Sequence, residues 1–201
     1  MRLATNRILL SFLLSGIAFS LNAQLDNKKI HFGVNYPSAV GDNAFKEVQD
    51  ATIDLEAGFD FVTVGPVKFG FSINVMFSDG DPNDLGEPTP FRKSRSTLVQ
   101  PRFNATLDTK VLPKLHPSLG LGYTFQSVSN DLKLGREDMG FDENPSFDGI
   151  NVNFGLRYDL ISILYIKAQY DYIRLSTEQG FVDSDFFRNI GLLKFGVGAR
   201  F

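Results

Sequence analysis

Two histidines and a nearby serine are the residues of this chain that could carry nucleophilic or acid–base chemistry. The histidines are His31 and His116, and Ser118 follows His116 by two positions. A serine nucleophile needs an orienting acid and a pocket in addition to a Ser–His pair, and this spacing supplies neither. We therefore interpret both histidines as rim or turn residues and predict no catalytic residue and no enzymatic activity.

An acidic segment, Asp-Gly-Asp-Pro-Asn-Asp-Leu-Gly-Glu, occupies residues 79–87. Its oxygen ligands would suit calcium, but the EF-hand pattern requires a glycine where Asp84 stands. The glycines and the proline favour turns, and the basic residues Arg92, Lys93 and Arg95 follow closely. We interpret the segment as a solvated, charge-balanced loop and predict no metal site and no cofactor.

A larger set of charged residues lies on the polar side of alternating segments. Successive side chains of a strand point to opposite faces, so these residues would share the face opposite the apolar one. Both signs occur in comparable numbers, which predicts a salt-bridged network that plugs the lumen of a narrow barrel. The predicted lumen residues are Asp54, Glu56, Asp60, Lys68, Arg102, Asp108, Arg157, Lys167, Asp171, Lys194 and Arg200.

Period-two alternation predicts the elements that position these charges. It indicates eight strands, an even number as bacterial single-chain barrels have, around residues 29–36, 51–61, 67–78, 99–108, 118–126, 150–159, 164–172 and 193–201. Pro101 cannot donate to a strand ladder, so we expect it near a rim or at a bulge.

The connections between these strands alternate in length. Long ones are expected at 37–50, 79–95, 127–149 and 176–187, and short ones at 62–66, 109–117 and 160–162. Such asymmetry is typical of outer-membrane barrels, with short periplasmic turns and long extracellular loops. The loops 127–149 and 176–187 mix charged and aromatic residues, which fits either a protein interface or loops folded over the barrel mouth.

The N-terminal residues have the pattern of a secretory signal peptide. Arg2 and Arg7 precede an apolar run that ends near Ala23. We predict a cleaved signal at 1–23 and a barrel domain at 24–201. The chain has no cysteine, which excludes disulfides and a lipidated cysteine, and losing both arginines would lower the net charge of −3 by two. This acidic balance argues against a nucleic-acid partner.

A soluble lipocalin-like barrel must be weighed, because alternation does not state which face points outward. Glycines crowd the polar face, and the apolar face continues to the terminal Phe201. Both features favour a lipid-facing apolar surface and a crowded polar lumen.

With this ending, the chain resembles the small outer-membrane β-barrel family of OmpX and the OmpA transmembrane domain, whose members are often labelled porin-like. The most specific part is the last strand, where Leu193, Phe195, Val197 and Phe201 look like the signal that the outer-membrane assembly machinery recognises. The resemblance implies an exported protein of the Gram-negative outer membrane. Its partners would be outer-membrane lipid and lipopolysaccharide, the latter contacted through basic loop residues: Arg92, Lys93, Arg95 and Arg136.

We therefore predict an all-β, eight-stranded, antiparallel, up-and-down transmembrane β-barrel without enzymatic activity. Its role would be structural or adhesive, or that of an accessory subunit of an envelope assembly that binds a partner through the loops 127–149 and 176–187. The alternatives are a narrow porin-like channel, a soluble lipocalin-like binding barrel and a barrel enzyme that modifies lipid A.

Overall fold

Antiparallel strands form most of the described chain. The computed structural model describes residues 30–80, 91–108, 112–132, 145–176 and 185–201. Two short helices, α1 (Ala44–Val48) and α2 (Asp185–Arg188), precede β2 and β8. No described helix is long and apolar enough to cross a membrane. The strands are β1 (Ile30–Val40), β2 (Gln49–Val64), β3 (Val67–Gly80), β4 (Phe91–Leu107), β5 (Leu115–Leu132), β6 (Ser146–Asp159), β7 (Leu164–Ser176) and β8 (Asn189–Arg200).

The eight strands close into one barrel in the order of the sequence. Each strand pairs antiparallel with its sequence neighbours, and β1 pairs with β8 so that Gly33 lies opposite Gly198. Ile30 and Phe201 exchange two backbone hydrogen bonds, of 3.1 and 2.8 Å. Closure leaves no unpaired edge in the barrel. The predicted all-β, up-and-down architecture with eight strands is confirmed.

The two ends of the barrel are named here by their connections. Among the described residues, the basal end carries 65–66, 108, 112–114 and 160–163, and the apical end carries 41–48, 145 and 185–188. Asn43 caps α1 at the apical end by accepting a hydrogen bond from the backbone of Lys46 at 2.9 Å. This cap helps to turn α1 so that Phe45 is buried.

The aromatic face of the strands is on the outside. Phe32, Phe103, Phe154 and Phe195 are all more than half exposed, whereas the charged residues on the opposite face point into the lumen. A soluble barrel with a ligand cavity requires the reverse arrangement, with polar residues in contact with water outside. The outer surface is therefore suited to lipid and not to water.

Most strands are longer than the alternation predicts, mainly at the apical end. The fourth strand begins at Phe91 instead of Val99, and the fifth runs to Leu132 instead of Gln126. The outward residues of these extensions, such as Arg95 and Ser127, are polar. The alternation of apolar and polar residues that predicts a strand is therefore absent there. The expected boundaries of the long loops were correspondingly wrong, and α1 occupies part of the first one.

Pro101 is neither at a rim nor at a bulge, and that prediction was wrong. It lies in the middle of β4 opposite Ile73 of β3. On the other side, the ladder to β5 has no pair at Gln100 or Pro101 and resumes at Arg102 in an unchanged register. A gap in the ladder, without a shift of register, thus accommodates the missing donor of proline.

Candidate functional site

Four buried charges, Asp54, Arg102, Asp171 and Lys194, form a central network across the lumen. Lys194 Nζ lies 2.5 Å from Asp54 Oδ2 and 2.8 Å from Asp171 Oδ2. Arg102 Nη2 lies 2.5 Å from the same Asp171 oxygen. The four residues come from β2, β4, β7 and β8, and all are almost fully inaccessible. The two cations balance the two anions, as buried charges require.

Side-chain amides satisfy the remaining polar atoms of the central network. Asn74 donates to both oxygens of Asp54, at 3.0 and 3.1 Å. Arg102 donates through Nε to Asn151 at 3.0 Å, and both Arg102 and Lys194 donate to Gln100, at 2.7 and 3.1 Å. A fully hydrogen-bonded polar network is rigid and holds its members in one arrangement.

A second ion pair lies beside the central network. Lys167 contacts Glu56 directly, and His31 Nε2 lies 3.5 Å from the other oxygen of Glu56. Asn74 also donates to Glu56, at 3.3 Å, and so connects this pair to Asp54. Asp54 and Glu56 of β2 and Lys167 and Asp171 of β7 therefore belong to one continuous set of contacts.

Another set of charged residues, the basal cluster, lies at the basal end of the lumen. It is composed of Lys68, Asp108, His116, Asp159 and Arg200. Lys68 lies 2.6 Å from Asp108, and Arg200 donates to Asp159 at 2.7 Å. His116 joins the two pairs: its Nε2 lies 3.0 Å from Asp159, and its Nδ1 lies 2.8 Å from Asp108. The Nδ1 contact lacks hydrogen-bond geometry, so it is electrostatic only.

Asp108 follows the last residue of β4 and is partly exposed. Burial opposes the ionisation of Asp108, but the hydrogen bond and charge of Lys68, with smaller contributions from His116 and Arg200, outweigh it. The pKa of Asp108 is therefore lowered from its ordinary value of 3.8.

Asp60 and Arg157, the remaining two of the predicted lumen residues, line the space between the central network and the basal cluster. Arg157 lies over the ring of Tyr165, with 5.4 Å between its guanidinium carbon and the ring centroid. Its Nε is 3.8 Å from Asp159, which is beyond hydrogen-bond distance. The structure thus brings the predicted residues into two groups, joined by a polar space.

An apolar layer fills the lumen between the central network and the apical end. The sequence prediction missed it, although Ile173 and Leu175 continue the inward face of Asp171 and could have been found by extending that alternation. The layer is composed of Phe45, Met76, Leu98, Ile173, Leu175, Ile190 and Leu192.

His116 is not the turn residue that the sequence predicted, because it lies in β5 with its side chain buried in the lumen. His31 is likewise buried, against Glu56. The hydroxyl of Ser118 lies toward Gly155, and the partners of His116 are carboxylates. Within the described ranges, no group of three His, Asp or Glu residues is arranged to hold a metal ion.

The other predicted sites lie on the outside or beyond the described residues. Phe195, Val197 and Phe201 are exposed on the outer face, and Leu193 is half-buried. Arg95 pairs with Asp79 at 3.4 Å on the outer face near the apical end. Residues 81–87 of the acidic segment lie outside the described residues, as do Arg136, the side chain of Arg92 and much of the loops 127–149 and 176–187.

Fold and interior together define an eight-stranded antiparallel barrel with an apolar exterior and a lumen that contains buried charged and apolar side chains. Among solved structures, Neisserial surface protein A has this fold: TM-score 0.53, 15% identity, covering 86% of this chain and 96% of that one. The N-terminal barrel domain of Pseudomonas aeruginosa OprF gives 0.53 and 12%, covering 87% and 98%. The attachment invasion locus protein Ail of Yersinia pestis, solved with the heparin analogue sucrose octasulfate, gives 0.55 and 13%, covering 86% and 97%. No protein-family model and no curated protein matches the chain.

Proposed function

We propose that this protein is a non-enzymatic integral barrel of the bacterial outer membrane whose lumen does not conduct. Its apical loops would contact a partner, in a structural or adhesive role or as an accessory subunit of an envelope assembly. The fold that it shares with Neisserial surface protein A and Ail supports the membrane assignment. So does the exposure of its aromatic face, because an aqueous surface does not tolerate so large an apolar area.

The observation that carries the closed lumen is the stacking of two different barriers. The central network spans the lumen with fully paired charges, and directly above it Met76, Leu98 and Leu192 are completely inaccessible. An ion would have to break buried ion pairs and then cross an apolar layer that offers no hydration. An eight-stranded barrel is just wide enough to be filled by side chains in this way.

Conductance in planar bilayers tests the closed lumen. The refolded protein should show a faster-migrating band on gels when it is not boiled, which proves that the barrel is folded. The same preparation should then give no stable single-channel steps. Stable, reproducible steps from a preparation with the folded band would contradict the proposal and favour the narrow channel.

The absence of enzymatic activity is tested through the two histidines. If either one acts on lipid A, cells that produce the wild-type protein should contain modified lipid A that disappears with His31→Ala or His116→Ala. We expect the lipid A of the three strains to be identical. A wild-type modification that either variant abolishes would contradict the proposal.

A second part of the proposal concerns lipopolysaccharide. Lys93 and Arg95 lie on the outer face of β4, beyond the aromatic residues and toward the apical end. In the proposed orientation, this places them at the level of the anionic headgroups of the outer leaflet. The double variant Lys93→Gln, Arg95→Gln should bind lipopolysaccharide more weakly, whereas Lys114→Gln at the basal end should bind as the wild type does. Equal binding by all three proteins would exclude this contact.

A further inference from the structure

The geometry points to a binding site for a small carboxylate, of formate to acetate size, on the Arg157 guanidinium in the basal half of the lumen. This site borders the central network, of which Arg102 lines the cavity, and lies on the side of that network away from the apolar layer. It does not depend on the lumen being closed to ions.

A polar cavity of about 30 Å³ lies in this half of the barrel, lined by Ser72, Asn104, Thr106, Ser118 and Arg157 among others. One water needs roughly 10–15 Å³ by this kind of measure. The cavity therefore has room for about two waters or for the few heavy atoms of a small carboxylate. Hydroxyl, amide and guanidinium groups line the cavity together with the carboxylates of Glu56 and Asp60, so its wall is polar and an apolar ligand would not fit chemically.

Arg157 supplies the recognition element. It is only 8% exposed, yet its Nε and Nη2 have no hydrogen-bond partner in the described part of the chain. These two nitrogens form one edge of the guanidinium, with their N–H bonds parallel. That edge is the one that binds both oxygens of a carboxylate in bidentate pairs. A buried arginine with this edge free is costly unless an acceptor occupies it.

The neighbouring carboxylates of the protein are placed so that none of them fills this edge. Asp159 is engaged by Arg200 and His116, and its nearest oxygen is 3.8 Å from Arg157 Nε. Glu56 is held by Lys167. Asp60 lines the same cavity but accepts no hydrogen bond from Nε or Nη2 of Arg157. The ring of Tyr165 stacks on the guanidinium face and fixes its orientation without using either N–H.

The ligand would enter from the basal end, because the central network and the apolar layer block the apical route. Lys68 and Asp108, which lie at the basal end, are both partly exposed. Side chains at this mouth are thus in contact with solvent. Lys68 and Arg200 are balanced there by Asp108 and Asp159, so the preference for an anion over a neutral solute comes from the guanidinium edge of Arg157.

Titration of the folded wild-type protein in detergent with 13C-labelled formate or acetate tests the site. We expect saturable broadening of the ligand signal. Arg157→Gln should weaken binding by about tenfold or more, as loss of a charged bidentate pair implies. Arg174→Gln, which removes an exposed arginine on the outer face of β7, should leave binding unchanged.

Arg157→Lys keeps the positive charge but loses the two parallel N–H donors of the guanidinium. This variant replaces Arg157→Gln in the titration if Arg157→Gln does not give the folded gel band. It should bind formate several-fold more weakly than the wild type. Absence of saturable binding by folded wild-type protein would mean that water alone fills the cavity, and it would overturn the proposal. Undiminished binding by the Arg157 variants would do the same. Competition by chloride equal to that by formate would overturn the carboxylate assignment, because a simple anion cannot use both donors.

Discussion

Lys194 Nζ and Asp54 Oδ2 lie 2.5 Å apart although their strands, β8 and β2, are not neighbours. The intervening strand β1 places Asn35 opposite Asp54 and Pro37 opposite Lys194, and both residues are buried. The long lysine side chain therefore reaches past β1 to a carboxylate two strands away. This contact ties the first and last parts of the chain together inside the lumen.

Replacement of Lys194 should be among the most damaging single changes to the lumen. Lys194→Met would leave Asp54 and Asp171 buried with one cation between them, which costs about 3–5 kcal/mol when a buried pair is broken. The free energy of unfolding, from urea titration in detergent, measures the effect. Lys114→Met, at an exposed lysine of the basal end, is the control. Adding Asp54→Asn to Lys194→Met should recover part of the lost stability. Equal free energies of unfolding for Lys194→Met and Lys114→Met would contradict the pairing.

The glycines at the closure of the barrel should differ sharply in their tolerance of a methyl group. A Cβ on Gly198 would clash with the ring of Tyr165, whereas a Cβ on the paired Gly33 would meet Tyr165 Oη at an ordinary 3.4 Å. Gly198→Ala should therefore destabilise the barrel by about 1–3 kcal/mol through overpacking, and Gly33→Ala by much less. Urea midpoints of the two variants decide this, and a reversed order would be inconsistent with the position of Tyr165.

The pair of Lys68 and Asp108 should make stability depend on pH in the acidic range. Because the pKa of Asp108 is lowered in the folded protein, its contribution is complete above the ordinary value of 3.8 and is lost as the pH falls through the folded value. The wild type should therefore lose more stability than Asp108→Asn as the pH falls from about 5 to about 2. Urea midpoints measured across this range test the sign. A steeper acid loss in Asp108→Asn would show that Asp108 is not the responsible group.

The apolar layer should contribute stability in the way that a protein core does. Leu98→Ala removes a fully buried side chain and should cost about 2–5 kcal/mol. Leu121→Ala, on the outer face at 61% exposure, leaves no internal cavity and should cost less. Unfolding in the same detergent compares the two. Similar losses would mean that the layer is loosely packed.

Phe201 should matter for assembly more than for stability, if β8 carries the assembly signal that the sequence predicts. Phe201→Ala should reduce the fraction of folded, heat-modifiable protein in the outer membrane of cells. Phe103→Ala is a matched control, because Phe103 is also an exposed outer-face phenylalanine, at 66% against 54% for Phe201. Equal folded fractions for both variants would remove the terminal phenylalanine from the signal.

The sequence predicts lumen residues only where the outward face of the same strand is apolar, because the alternation is visible only there. Asp54 and Lys194 alternate with large apolar residues, so simple counting places them opposite the aromatic face, and in the structure they lie inside. Leu98 was not predicted as a lumen residue because it lies where the outward residues of β4 become polar. His116 was predicted in a turn, and not in a strand, because Pro117 follows it. Alternation shows which face of a strand a residue occupies but not its position along the barrel axis. Pairings such as that of Lys194 with Asp54 could therefore not be predicted.

The contact of Tyr165 with β1 has a consequence for how the barrel chooses its closing strand. Tyr165 extends from β7 and donates to the carbonyl of Phe32 on β1 at 3.1 Å, passing above Gly198 of the strand between them. A strand from another protein that carried any side chain at this position could not slide beneath the ring. During assembly, an open barrel would thus select its closing strand by shape. Only a strand with glycine at this position would fit beneath Tyr165 and complete the barrel.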